Sequence, residues 1–221
     1  MKRLIFIVEG ETEERFVNEV LANYFCSKGI YNAINCFKTK HSGGGLSKYS
    51  YIKKDILNVI YESDIVVTTM LNFYRLPSDF PGYKNMKDTW ESKNKVEYLE
   101  EELKRDIESL KGRRFDNLIP YIQLHEFEAL IFSSVSGVEM LFEPNEYDHK
   151  EFTKMCTEFK SPEDINNGPD TAPSKRLQKL IPEYNKVLYG TDIVKEIGME
   201  VILAKCPMFK RWINKLVEAM K

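Results

Sequence analysis

The sequence predicts an α/β fold, a mostly parallel sheet flanked by helices with a helical C-terminal extension. Two observations predict it. Over roughly the first 135 residues, short apolar runs rich in β-branched side chains alternate with segments whose apolar positions recur every three to four residues, the pattern of βαβ crossovers. From there to Lys221 the spacing stays helical, and no strong strand pattern returns. The chain therefore divides into an α/β core, 1–135, and a helical extension, 136–221, packed on it, with no clear linker between them.

Each element follows from its residues. Leu4 to Val8 is a continuous apolar run bounded by Gly10, which reads as a strand covered on both faces. Phe16, Val17, Val20, Leu21 and Tyr24 then mark a helix, with Thr12 as a cap and Glu13 and Glu14 in its first turn, where the macrodipole favours negative charge. Ala33 to Phe37 is a weaker second strand. The loop HSGGGLSKYS leads into an amphipathic helix carrying Ile52, Ile56, Val59 and Ile60. Ile65 to Leu71 is the third strand, and NFYRLPSDFPGYKN, with two prolines and a glycine, is a loop. Val96, Leu99, Leu103, Ile107 and Leu110 form the buried stripe of a helix from Trp90 to Leu110. Leu118 to Leu124 is a fourth strand or strand-like piece, followed at once by His125 and a short helix through Phe132.

The composition is that of an ordinary globular protein: 43% hydrophobic, 30% charged, net charge −2. That balance excludes a protein that coats nucleic acid through global basicity, though local basic patches remain open. Cys26, Cys36, Cys156 and Cys206 are scattered without a CxxC pair, which favours neither a zinc ribbon nor a disulfide framework and fits a reducing compartment. The apolar run after Met1, Lys2 and Arg3 is only five residues long, too short for a signal peptide or a membrane span. A cytoplasmic protein with no membrane partner is expected.

In open parallel sheets, ligands collect at the carboxyl ends of the strands. The first strand delivers Glu9 there, the third Asn72, and the fourth His125, Glu126 and Glu128. If these strands are neighbours, the groups converge as oxygen ligands suited to a hard cation such as Mg²⁺. Glu126 and Glu128 would diverge by ~200° on an α-helix, which favours Glu126. His125 is either a general acid or base or a helix-capping histidine. The glycine loop lacks a Walker A sequence; with Lys40, His41, Lys48, Lys53 and Lys54 it is either a phosphate contact or a plain connection. Arg75 and Lys84 interleave with Phe73, Tyr74 and Tyr83, a mixture that can stack bases and pair phosphates or simply pack in its own domain. Ser174, Lys175 and Arg176 after Pro173 start a helix with donors for a phosphate or with outward cations.

The stretch IVEGETEERFV resembles the first motif of Toprim-type domains. With TTMLNFYRLPSDFPG, PYIQLHEFEALIF, APSKRLQKLIPEY and IGMEVILAKCPMFKRWINKL, nearly the whole chain resembles the bacterial family catalogued as domain of unknown function 4276, a Toprim-like group related to overcoming-lysogenisation-defect nucleases. The resemblance implies a hydrolase that cleaves DNA or RNA phosphodiesters with Mg²⁺ or Mn²⁺. It assigns Glu9 to proton transfer and puts a metal position at Asn72; joined to the reading of the residues above, His125 shares the proton transfer, Glu9, Glu126 and Glu128 join Asn72 on the metal, and Lys48, Arg75, Lys175 and Arg176 hold the nucleic acid. It also implies an ABC-type ATPase partner and a role in phage defence; a homo-oligomer is compatible with it. The chain departs from the pattern at Asn72, where the family carries aspartate, and at Tyr74, where the second acid of the pair would stand. The alternative is an impaired adaptor that binds nucleic acid or an ATPase.

Overall fold

The computed structural model describes residues 2–39, 46–165, 168 and 170–221. Most of the glycine loop, with Lys40 and His41, lies outside the described residues. The chain forms two compact units, one of residues 1–124 with 214–221 and one of residues 125–213.

In the first unit, β1 (Arg3–Val8) leads through Gly10 into α1 (Glu11–Phe16), which runs on through a π-helical turn, Val17–Leu21, into α2 (Ala22–Ser27). Gly10, not Thr12, is the N-cap; Thr12 lies inside the helix and is buried. Then come β2 (Ile34–Lys38), α3 (Tyr49–Val59), β3 (Ile65–Asn72), α4 (Ser92–Lys111), β4 (Leu118–Ile119) and β5 (Ile122–Gln123). All pairings are parallel, in the order β2-β1-β3-β4, with β5 also on β3. Every residue of β3 and all of Leu4 to Val8 are buried, as strands covered on both faces require.

The expected fourth strand is two short pieces because Pro120, between them, has no N–H to give the ladder. Thr68 and Thr69 repair the gap with side chains. The Thr68 hydroxyl donates to the Ile119 carbonyl (2.6 Å), while the Thr69 hydroxyl donates to the Tyr121 carbonyl (2.9 Å) and accepts from its N–H (3.0 Å). On the outer edge, Glu100 of α4 accepts the Ile122 N–H at 2.9 Å. The α4 stripe buries Val96, Leu99, Leu103 and Ile107, but Leu110 in the last turn is half exposed.

The second unit is helical, as expected for most of this region. At its centre the 3₁₀ helix Phe127–Ser133 is wholly buried, and α6 (His149–Glu158), α7 (Pro173–Leu180), α8 (Lys186–Ile197) and α9 (Met199–Lys205) pack on it. The short α5 (Ser136–Glu139) crosses α8 at Gly137, where a Cβ would stand 2.4 Å from the Ile193 carbonyl oxygen. Helix α10 (Pro207–Met220) starts here and ends among the residues of the first unit. Its first turn is capped by Glu163, whose two oxygens accept the N–H groups of Met208 (2.9 Å) and Phe209 (2.8 Å). Among the described residues, no helix is long and apolar enough to cross a membrane.

Candidate active site

The strand order reverses direction between β1 and β3: from β1 the chain moves outward to β2, then returns to place β3 on the other side. At such a switch point the two connections leave the sheet in opposite directions and open a crevice beyond the carboxyl ends of the two strands. Val8 is in register with Met70, so Glu9 and Asn72 emerge side by side at this crevice.

Their side chains meet. Oε2 of Glu9 accepts from the backbone N–H of Asn72 at 3.2 Å and from its side-chain amide Nδ2 at 3.1 Å. The same amide nitrogen donates to Oε1 of Glu13 at 3.3 Å. Glu9, Glu13 and Asn72 are 4%, 3% and 5% exposed, so two carboxylates share one neutral donor almost out of water. Burial pushes the Glu9 carboxyl above its ordinary range, and Glu13 adds to the push. The two Asn72 bonds and the Arg75 guanidinium pull the other way without cancelling it.

Glu13 is the residue that sequence reasoning missed. Its first-turn position has an adequate local explanation, but one helical turn in from β1 it also reaches the end of β3. Gly10 makes room for it: a Cβ there would stand 2.9 Å from Glu13 Oε2. Glu11, between Glu9 and Glu13 in the chain, is exposed, and Glu14 lies 3.8 Å from Lys38.

In the second unit, His125 has a left-handed backbone, φ 77°, unusual for a residue with a Cβ. Its side chain is buried. Glu126 caps the 3₁₀ helix, and its Oε2 accepts the Ser174 N–H at 3.0 Å, at the start of α7. Glu128 is buried, with Oε2 3.2 Å from Lys186 Nζ. These two carboxylates therefore have partners in their own unit.

Of the expected cationic contacts, Lys48 and Lys175 are exposed, as is Arg75. Arg176 is engaged locally: Nε donates to the Thr171 carbonyl at 2.7 Å, and its guanidinium lies over the Phe159 ring.

The implied cation finds compatible chemistry at the first-unit site. Glu9 and Glu13 supply carboxylate oxygens, Asn72 carries an amide oxygen, and all are hard donors of the kind Mg²⁺ takes. Two carboxylates held together out of water are also an arrangement that a divalent charge relieves. Among the described residues, no group of three or more His, Cys, Asp and Glu side chains is placed to hold a metal ion.

The family catalogued as domain of unknown function (DUF4276) matches residues 8–217, nearly the whole chain, and the chain belongs to that family. No curated protein and no solved structure matches it.

Proposed function

We propose that this member of the DUF4276 family is a Toprim-like, metal-dependent nuclease whose reaction centre is the Glu9–Glu13–Asn72 cluster. The observation that carries this reading is the meeting of two buried carboxylates at the β1/β3 switch point, with the Glu9 carboxyl raised. A carboxyl whose proton is held more tightly than usual suits general acid or base work nearer neutral pH. In this reading Glu9 moves the proton, and Glu13 would hold Mg²⁺ or Mn²⁺ with Asn72 once its amide turns to present the oxygen in place of the nitrogen that now donates to both carboxylates. The bound cation would polarise a phosphoryl oxygen and neutralise charge developing on it. Arg75 and Lys48 hold the phosphate backbone. A cytoplasmic setting, an ABC-type ATPase partner and a part in bacterial phage defence are added by resemblance alone.

The test is incubation of the chain with DNA and RNA, single-stranded and duplex, in Mg²⁺ and in Mn²⁺, with Glu9→Gln as control. Cleavage that Glu9→Gln abolishes supports the reading. No cleavage under any of these conditions, with or without a neighbouring ATPase, counts against it.

One observation favours a second reading. The Asn72 amide nitrogen donates to both carboxylates and so bridges them without a metal. A chain built that way is an adaptor that keeps the fold to dock nucleic acid or an ATPase. Cleavage gained only on Asn72→Asp would favour it.

A further inference from the structure

Directly after Asn72 the chain makes one 3₁₀ turn, Phe73–Arg75, and this turn forms one wall of an open groove of about 620 Å³. Leu46, Leu76 and Pro77 give the groove apolar lining, and Ser47, next to the exposed Lys48, contributes a hydroxyl. Two lining side chains are unspent. Tyr74 is 53% exposed and makes no hydrogen bond or ring contact with any described residue. Arg75 is exposed and forms no hydrogen bond or salt bridge with a described residue, yet its guanidinium is near enough to attract the Glu9 carboxylate.

A large aromatic face left in water beside an uncommitted guanidinium needs a reason, because the same loop buries Leu76 and Phe80. The pair has the chemistry of one nucleotide: a π-face for a base and a planar cation for the phosphate. The groove lies within the roughly 300–1,000 Å³ typical of small-ligand sites. A paired base is stacked on both sides and cannot offer a face to a side chain, so only an unpaired one fits the tyrosine.

We propose that Tyr74 and Arg75 form a stacking subsite for an unpaired nucleotide, so that the nucleic acid reaching Glu9 is single-stranded at that point. The inference rests on the nuclease reading but makes a separate prediction about binding. Arg75 orients the phosphate toward the side of the groove where Glu9 lies, and Tyr74 fixes the register of the adjoining base.

The test is fluorescence anisotropy in EDTA, which separates binding from cleavage. The probes are labelled short oligothymidine, oligouridine and a DNA duplex of the same length, with Tyr74→Ala, Tyr74→Phe and Arg75→Ala variants. A 2-aminopurine probe reports stacking by quenching. The wild type is expected to bind the single strands more tightly than the duplex. Tyr74→Ala weakens single-strand binding by roughly 5- to 100-fold and removes the quench, while Tyr74→Phe keeps both. Arg75→Ala weakens binding and reduces its salt dependence. The two single-stranded probes decide between DNA and RNA. Tighter binding to duplex, no binding to either single strand, or Tyr74→Ala binding like the wild type overturns the proposal. If cleavage occurs but is indifferent to Tyr74, the subsite fails and the nuclease reading stands. If Tyr74-dependent binding occurs without cleavage in Mg²⁺ or Mn²⁺, the subsite stands and the nuclease reading fails.

Discussion

Asn72→Asp is an isosteric change of one group, and the structure sets its size. It replaces a donor at 3.1 Å from Glu9 and 3.3 Å from Glu13 with a carboxylate oxygen at similar range. With an effective dielectric of about 20, each such pair of charges repels by about 5 kcal/mol. The protein avoids most of that by taking up a proton. Three units separate pH 7.5 from the ordinary glutamate value of 4.5, and at about 1.4 kcal/mol per unit this sets a cost of about 4 kcal/mol. In EDTA at pH 7.5, thermal denaturation should therefore fall by about 8–16 °C. At pH 5.5 the loss should shrink by about 3 kcal/mol, because the proton is cheaper. Millimolar Mn²⁺ should restore stability at pH 7.5, by about 2.7 kcal/mol when the ion is at a hundred times its dissociation constant. If the variant melts like the wild type in EDTA, or if Mn²⁺ shifts neither, the crowding of carboxylates at this crevice is not what the geometry implies.

Other outcomes follow from the same residues. Glu9→Gln should abolish any cleavage and yet stabilise the fold near neutral pH by about 1 kcal/mol, read by urea denaturation. A raised folded pKa means the native state holds its proton longer than the unfolded state, so wild-type stability declines as pH rises from 4.5 through the raised value. The advantage of Glu9→Gln should accordingly vanish toward pH 4.5. His125→Asn should fold with a thermal-denaturation midpoint close to the wild type, since Asn tolerates the left-handed backbone that His125 adopts. Glu163→Ala should cost about 2–4 kcal/mol in urea denaturation, since it strips two buried N–H groups at the start of α10 of their acceptor.

How far the fold could be read depended on whether its cause was local. The runs at Leu4 to Val8 and Ile65 to Leu71 announce buried strands, and the spacing of Val96, Leu99, Leu103 and Ile107 announces a buried helical face. Leu110 continues that spacing but falls in the last turn of α4 and stays half exposed. Pro120 marks the break in the fourth strand, a signal present in the sequence but outweighed by the apolar residues around it. The site was legible in part. Glu9 stands out because a carboxylate after an apolar strand has little other use, and Asn72 because it ends one. The partnership with Glu13 depends on β3 lying beside β1, across 59 residues, which no local pattern encodes. Ser174 on Glu126 and Lys186 on Glu128 are likewise contacts over long stretches of chain.

The first compact unit includes residues 214–221. Lys2 Nζ donates to the Ala219 carbonyl at 2.7 Å, tying the strand that begins the unit to the helix that completes it. A ribosome delivers the chain in order, so β1 to β5 emerge and wait, without their last partner, while the intervening 89 residues of the second unit are made. The first unit is thus complete only after the second has been made, and a product cut short before Asn214 should carry Glu9 and Asn72 on an incomplete scaffold that proteases clear.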